Sequence, residues 1–287
     1  MAIAVYLIVS FAFSWSIALL LHQAGGFAGT GQMAAAYLFA FMFGPAVGAL
    51  AAAGLFDRSR FWAALSLRPW RWRPVIVWTL IAWVLGIGLC AAGLAVTLMV
   101  SGEAPADAAE RLVATARAAG VEDLPLSADM LLLITLLVNV PVGIVINTVL
   151  ITANEELGWR GWLQPRLAGL GFWPSALVIG LIWGVWHAPI VLMGHNYPGL
   201  GWIGVALMCV FTTGLTPYIA LIRERSANVV PAGAFHGAVN AVAGVTLLFA
   251  PDPSWPNNGL LGAAGLSVLY LGWIGVALYR KKNPRAA

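Results

Sequence analysis

Long apolar stretches dominate the chain and limit it to one class of fold. Eight of them reach about 20 residues, the length that one helix needs to cross a bilayer. They cover residues 1–22, 33–56, 75–100, 130–153, 173–193, 202–222, 227–249 and 258–279. With 61% hydrophobic and 9% charged residues, the composition excludes an ordinary soluble domain. We therefore predict an all-α, polytopic membrane helix bundle of about eight transmembrane helices, with residues 1–287 forming a single membrane domain.

Lysine and arginine residues are concentrated in alternate connections between these stretches. Thirteen of the 15 lie in the second, fourth and sixth connections and the C-terminal tail: Arg58, Arg60, Arg68, Arg71, Arg73, Arg160, Arg166, Arg223, Arg225, Arg280, Lys281, Lys282 and Arg285. The other two, Arg111 and Arg117, lie in the acidic third connection. Because basic connections stay in the cytoplasm, we predict a multi-pass protein of the cell membrane with both termini cytoplasmic. We expect that membrane to be a bacterial inner membrane.

A charged cluster, Glu155, Glu156 and Arg160, follows the fourth apolar stretch. Charge at membrane depth is costly and indicates a functional site. Glu156 and Arg160 are four residues apart and are predicted to form an ion pair on one helix face. Glu155 points roughly 100° away and is left for another task. We expect the helix to continue past Gly161 toward Pro165, which brings the glutamates to bilayer level; the alternative is a solvated helix end.

Two later stretches carry further polar side chains. His187 lies in the fifth, and His236 and Asn240 lie four residues apart on one face of the seventh. A carboxylate beside an imidazole can activate a water molecule, and a second imidazole with a carboxamide can stabilise an oxyanion. The alternative is that each histidine only makes an interhelical hydrogen bond. Glu155, His187 and His236 could also hold zinc, although no His-x-x-x-His pair favours it; we predict no metal and no cofactor.

Other polar and helix-breaking residues have simpler interpretations. His195, in the fifth connection, is predicted to lie at the surface. Five prolines fall inside the predicted spans, where membrane helices tolerate kinks: Pro45, Pro141, Pro189, Pro217 and Pro231.

The three polar sets together resemble one known family. The motifs Glu155-Glu156-x-x-x-Arg160, Trp183-x-x-x-His187 and His236-x-x-x-Asn240, in this order, resemble the type II CAAX prenyl endopeptidases, also called the CAAX protease and bacteriocin-processing family of intramembrane glutamate proteases. The resemblance covers about residues 130–245. Trp183 departs from the pattern, since the family more usually has phenylalanine there. It retains an aromatic wall, which we expect to contact substrate.

The resemblance implies a role for each matched residue. Glu155 and His187 would activate the attacking water, and His236 and Asn240 would form the oxyanion hole. Glu156 and Arg160 would support them. The implied activity is endopeptidase cleavage within the membrane, near its cytoplasmic face.

The implied partners are the lipid bilayer and a membrane-associated peptide or protein, with or without a prenyl group. No nucleic acid is expected. Two other functions stay open: a non-catalytic membrane partner, such as a bacteriocin-immunity or regulatory protein of the same family, and a transporter that uses the polar cluster as a proton relay.

Overall fold

The computed structural model describes residues 1–121 and 123–284, and all regular elements in these ranges are helical. Arg285, predicted to belong to the basic tail, lies outside the described residues. The α-helices are α1 (Ala2–Gln23), α2 (Gly26–Thr30), α3 (Met33–Phe41), α4 (Gly44–Phe56), α5 (Phe61–Ala64), α6 (Trp72–Ser101), α7 (Ala108–Ala118), α8 (Ala128–Ile134), α9 (Val140–Ile151), α10 (Gln164–Leu167), α11 (Phe172–Trp186), α12 (Ala188–Leu192), α13 (Gly201–Ser226), α14 (Val230–Thr246) and α15 (Ala263–Lys282).

Six helical stretches in the described ranges are long and apolar enough to cross a membrane. They are Ala2–Gln23, Met33–Phe56, Trp72–Ser101, Ala128–Leu170, Gly201–Ser226 and Ala263–Lys282. Each overlaps one predicted span, although the fourth has 43 residues and extends well beyond the predicted 130–153. The two remaining predicted spans hold shorter helices, α11 with 15 residues and α14 with 17. The chain is thus a helical multi-pass membrane protein, while the count of eight crossings and the cytoplasmic position of the termini stay predictions.

The fourth span is one uninterrupted helical path. Two π-helical segments, Thr135–Asn139 and Thr152–Leu163, join α8, α9 and α10, so helix continues to Leu170. The predicted continuation past Gly161 is confirmed. The second π segment, of 12 residues, contains the charged cluster, and π turns inside α-helices are frequent at functional sites.

One end of the bundle gathers the basic connections. The backbone N–H of Val229 donates to the carbonyl of Ser66 at 3.1 Å, and the side chain of Arg225 donates to the carbonyl of Asn283. We call this end the basic face; it comprises connections 57–71, 168–171, 227–229 and the tail from residue 283.

The opposite end gathers the other connections. The N–H of Ala106 donates to the carbonyl of Phe249 at 3.0 Å, and the Tyr197 hydroxyl donates to the carbonyl of Leu261 at 3.1 Å. We call this end the acidic face; it comprises connections 24–32, 102–127, 193–200 and 247–262. Its described carboxylate residues outnumber Arg111 and Arg117 and are Glu103, Asp107, Glu110, Asp123 and Asp252.

Two glycines let α14 approach the fourth span closely. A Cβ atom at Gly233 would lie 1.9 Å from Oγ1 of Thr152, and one at Gly237 would lie 2.7 Å from the carbonyl carbon of Asn147. Small residues four apart allow membrane helices to pack backbone against backbone. This contact brings His236, between the two glycines, against the charged cluster.

Four of the five prolines lie in the first turn of a helical segment, α4, α9, α12 or α14: Pro45, Pro141, Pro189 and Pro231. Pro231 begins its helix, where the missing N–H costs no hydrogen bond. Pro45 and Pro141 lie within the longer helical stretches Met33–Phe56 and Ala128–Leu170, and Pro217 lies inside α13. Pro189 separates α11 from α12 and leaves His187 at their junction, with φ −74° and ψ −11°.

Candidate active site

Glu155 is held by one indole group. Its side chain is 3% exposed, and Oε2 accepts a hydrogen bond of 2.8 Å from Nε1 of Trp183 on α11. A carboxylate at this depth needs polar partners to offset its lost hydration. The indole donor supplies one of them and fixes the orientation of the carboxylate.

Glu156 is the shared acceptor of two other groups. Its Oε1 lies 2.7 Å from a terminal guanidinium nitrogen of Arg160 and 2.9 Å from Nδ1 of His236. A second guanidinium nitrogen of Arg160 donates to the Thr216 hydroxyl at 3.1 Å. Glu156 and Arg160 are both 0% exposed. The ion pair expected from their spacing is therefore present. Its carboxylate also bonds the His236 ring, a contact that the sequence did not indicate.

The hydrogen bond of His187 defines its tautomer. Nδ1 lies 2.8 Å from the carbonyl oxygen of Trp183. Because a carbonyl only accepts, Nδ1 must carry the proton in this bond. In the neutral ring, Nε2 is then left as an acceptor, the form that a general base requires.

Trp183 contacts all the charged and imidazole groups of the cluster except Glu156. Besides its bonds to Glu155 and His187, its ring lies 4.5 Å from the guanidinium carbon of Arg160 and 4.9 Å from the His236 ring, edge to face. The indole is 1% exposed. Cation–π and aromatic contacts of this kind fix relative positions, so Trp183 aligns the other side chains as well as forming a wall.

A cavity of about 440 Å³ brings the predicted residues together. Five of the seven line it: Glu155, Trp183, His187, His236 and Asn240. Glu156 and Arg160 are not among its lining residues and lie behind Glu155 and His236. Asn240 is the exposed member, one helical turn after His236. The cavity is of the size usual for a binding site.

Glu155 and His187 lie at a similar depth in the bundle because of the turn between their helices. Gly171, with φ +85°, connects the end of the fourth span to α11. Glu155 lies sixteen residues before Gly171 and His187 sixteen residues after it. Because the helices on the two sides of this turn run in opposite directions over equal numbers of residues, the chain returns to a similar depth, where Trp183 links the two side chains.

Four polar residues line the cavity without having been predicted as site residues: Asn147, His195, Asn196 and Asn258. Asn147 lies eight residues before Glu155, about two turns away on the same helix. This spacing could have identified Asn147 as a site residue from the sequence. His195, predicted to lie at the surface, is half-buried and lines the cavity. Nothing in the sequence places Asn258, which comes from a long connection.

Metal binding has limited support from the geometry. Among residues 1–121 and 123–284, no three His, Cys, Asp or Glu side chains converge as a metal-binding group. The absence of a cofactor stays a prediction.

Comparison with known proteins supports the resemblance over part of the chain. Residues 135–242 match the protein-family model described as Rce1-like, type II CAAX prenyl endopeptidase. This segment is Rce1-like. The Rce1-like segment contains all seven predicted site residues, from Glu155 to Asn240, and the family resemblance inferred from the three motifs is confirmed there. The match covers less than half of the 287 residues. No curated protein matches the chain.

The Rce1-like segment supplies most of the cavity lining, including all of the predicted site residues that face it. It runs from the first π segment through α14, and its match to a protease family supports a membrane-embedded hydrolase. The helices before residue 135 and after residue 242 lie outside the match and complete the bundle around it.

Proposed function

We propose that the chain is an intramembrane endopeptidase that hydrolyses a peptide bond with an activated water molecule. One observation carries the proposal: Glu155, His187, His236 and Asn240 line the same cavity. These residues supply a base and oxyanion donors, the two kinds of group that amide hydrolysis requires.

The attacking water is activated between Glu155 and His187. Glu155 keeps one carboxylate oxygen free of the Trp183 bond, and His187 presents Nε2 as an acceptor. As the water oxygen adds to the carbonyl carbon, its proton passes to Glu155. The C–N bond then breaks, and the same proton is delivered to the departing amine.

The oxyanion is stabilised by His236 and Asn240. Because Nδ1 of His236 is bonded to Glu156, Nε2 is the nitrogen that remains for the substrate. In the imidazolium form Nε2–H donates to the developing oxyanion, and the Asn240 carboxamide donates from one turn further along α14.

Glu156 and Arg160 have a supporting role in this proposal. Both are removed from solvent, and the guanidinium of Arg160 offsets the carboxylate of Glu156, which also bonds the His236 ring. Such compensation is needed because an unpaired charge at this depth is strongly destabilising.

The substrate follows from the membrane location of the site. We propose a membrane-associated peptide or protein, with or without a prenyl group, that reaches the cavity from the bilayer or its surface. The hydrolase acts as one membrane domain, and its expected location is a bacterial inner membrane.

The proposal is tested with purified protein and a fluorogenic peptide that carries a lipid anchor. Glu155→Gln and His187→Gln are each expected to reduce kcat at least about 100-fold, since each removes a proton acceptor. Glu110→Gln and His22→Gln are matched controls, because both residues are exposed and far along the chain from the cavity. Activity is expected to survive treatment with a chelator.

Equal cleavage by the wild type and by Glu155→Gln would reject the proposal. In that case the non-catalytic alternative would predict that Glu155→Gln retains biological protection whenever the protein accumulates. Loss of activity together with loss of bound zinc on chelation would replace the water-activation scheme with a metal-dependent one.

A further inference from the structure

The cavity extends from the catalytic cluster toward one face of the bundle only. Beyond His187 and Asn240 its lining continues to Leu247, His195 and Asn258. The last three belong to the connections of the acidic face. Among the described residues that line the cavity, none belongs to a basic-face connection.

Packed side chains close the opposite side of the cluster. Trp159 and Trp162, which follow the glutamates toward the basic face, are 0% exposed. Nε1 of Trp162 donates to Asp57 at 3.3 Å, and Arg166 forms an ion pair with the same carboxylate. The indole rings and this ion pair separate the catalytic cluster from the basic face.

The charges of the two faces define their orientation. The basic face carries most of the basic residues of the described chain, in connection 57–71 and in helix ends within four residues of a basic-face connection: Arg58, Arg60, Arg68, Arg71, Arg73, Arg166, Arg223, Arg225, Arg280, Lys281 and Lys282. The described residues of the acidic face include only two, Arg111 and Arg117. Short connections rich in Lys and Arg are retained in the cytoplasm. The acidic face, and with it the open end of the cavity, is therefore the non-cytoplasmic one.

We infer that the cavity receives a polypeptide segment presented on the non-cytoplasmic side of the membrane. This inference rests on the proposed function for the chemistry, but its geometry is independent of it. It also replaces the expectation that cleavage occurs near the cytoplasmic face, because the wall formed by Trp159 and Trp162 lies on that side.

The outer part of the cavity has the polar groups that a peptide backbone needs. Asn258 is 6% exposed, and its Oδ1 has no hydrogen-bond partner among the described residues. A buried acceptor without a donor is costly, and a backbone N–H of an extended substrate would satisfy it. Because burial lowers the pKa of His195 to about 4, this ring is neutral near pH 7 and adds no charge beside the peptide.

The test measures which face the cavity opens to, without using catalysis. Cys90→Ala and Cys209→Ala remove the two free cysteines, and Gly244→Cys places a thiol in the cavity. A Cβ atom at Gly244 meets no atom within 4 Å, so this change fits the fold. Leu247→Cys is the second cavity probe. Ser59→Cys reports the basic face, and Glu103→Cys reports the acidic face.

Each variant is treated with a charged, membrane-impermeant maleimide in right-side-out and inside-out vesicles. We expect Gly244→Cys and Leu247→Cys to react in right-side-out vesicles at least about tenfold faster than in inside-out vesicles, as Glu103→Cys does. Ser59→Cys should show the reverse preference. Cavity probes that react with the preference of Ser59→Cys, or that react from neither side, would overturn the inference, as would reversed preferences of both face probes.

A second arm separates this inference from the proposed function. The same vesicle preparations receive the lipid-anchored fluorogenic peptide, added from outside, with Glu155→Gln as the catalytic control. If the cavity probes are labelled from the non-cytoplasmic side but the peptide is cleaved in neither vesicle orientation, the protease is rejected. The inferred orientation of the cavity would then still stand. Cleavage only in inside-out vesicles would retain the protease and reject the non-cytoplasmic substrate.

Discussion

At the scale of single residues, the indole of Trp183 does what a phenylalanine at this position could not. It keeps an aromatic ring against Arg160 and His236 and adds an N–H that donates to Glu155. The family resemblance predicted an aromatic wall at this position. The hydrogen bond could not be predicted from the motif, because it depends on how α11 lies against the π-helical segment.

Trp183→Phe tests this donor. Hydrogen bonds to charged groups are worth about 1.5–3 kcal/mol, so we expect kcat to fall about 10- to 100-fold, with KM nearly unchanged because the ring remains. Steady-state kinetics on the lipid-anchored peptide measures both constants. Trp202→Phe is the matched control, since that indole is 73% exposed; equal effects of the two substitutions would contradict the role of the donor.

The buried ion pair of Glu156 and Arg160 can be tested by removing its guanidinium. Arg160→Met leaves Glu156 without its guanidinium partner, and breaking a buried pair costs about 3–5 kcal/mol. We expect a lower melting temperature in detergent. Adding Glu156→Gln to Arg160→Met should restore part of the loss, because the buried charge of Glu156 that Arg160 would neutralise is then also removed. A double variant as unstable as the sum of the single ones would show that the two side chains do not interact.

At the scale of helices, the glycines of α14 determine how closely it packs on the fourth span. The spacing of Gly233 and Gly237 could have been read from the sequence as a helix-packing motif, but a motif of this kind does not specify its partner. The prolines show a similar limit. Pro189 and Pro231 were predicted inside spans and in fact begin helices, because the sequence does not reveal where one helix stops and the next starts.

Gly233→Ala tests the close contact. Its Cβ would lie 1.9 Å from Oγ1 of Thr152, and overpacking of a buried contact costs about 1–3 kcal/mol. We expect a lower melting temperature and reduced catalytic activity, since His236 would move away from Glu156. Gly244→Ala on the same helix is the control, because no atom lies within 4 Å of its Cβ; it should be neutral or stabilising.

At the scale of the whole molecule, hydrophobicity and charge predicted most of the architecture. Apolar length locates the six long spans, and the distribution of arginines separates the two faces. The ends of the shorter helices α11 and α14 could not be predicted from apolar length, because they depend on Pro189 and on packing. The lining of the outer cavity could not be predicted from the sequence either, since His195 and Asn258 come from connections whose conformation depends on tertiary contacts.

Arg111 joins the two longest connections of the acidic face, so its substitution tests how much this contact stabilises the whole fold. Its guanidinium donates to the carbonyls of Leu247 and Pro251, at 3.3 and 2.6 Å, just beyond α14. A cation there satisfies carbonyl groups near a helix C-terminus. We expect Arg111→Gln to lower thermal stability by about 1–2 kcal/mol, measured by melting in detergent. Arg117→Gln, an exposed neighbour on α7, should have little effect.

The turn at Gly171 has a consequence for how chain length can vary around the site. Glu155 and His187 lie equally far from it along two helices. Inserting one residue on one side would shift one side chain by about 1.5 Å and rotate it by about 100° relative to the other. Insertions and deletions between residues 155 and 187 should therefore be tolerated only next to Gly171 itself, where extra residues enlarge the turn without changing either helix.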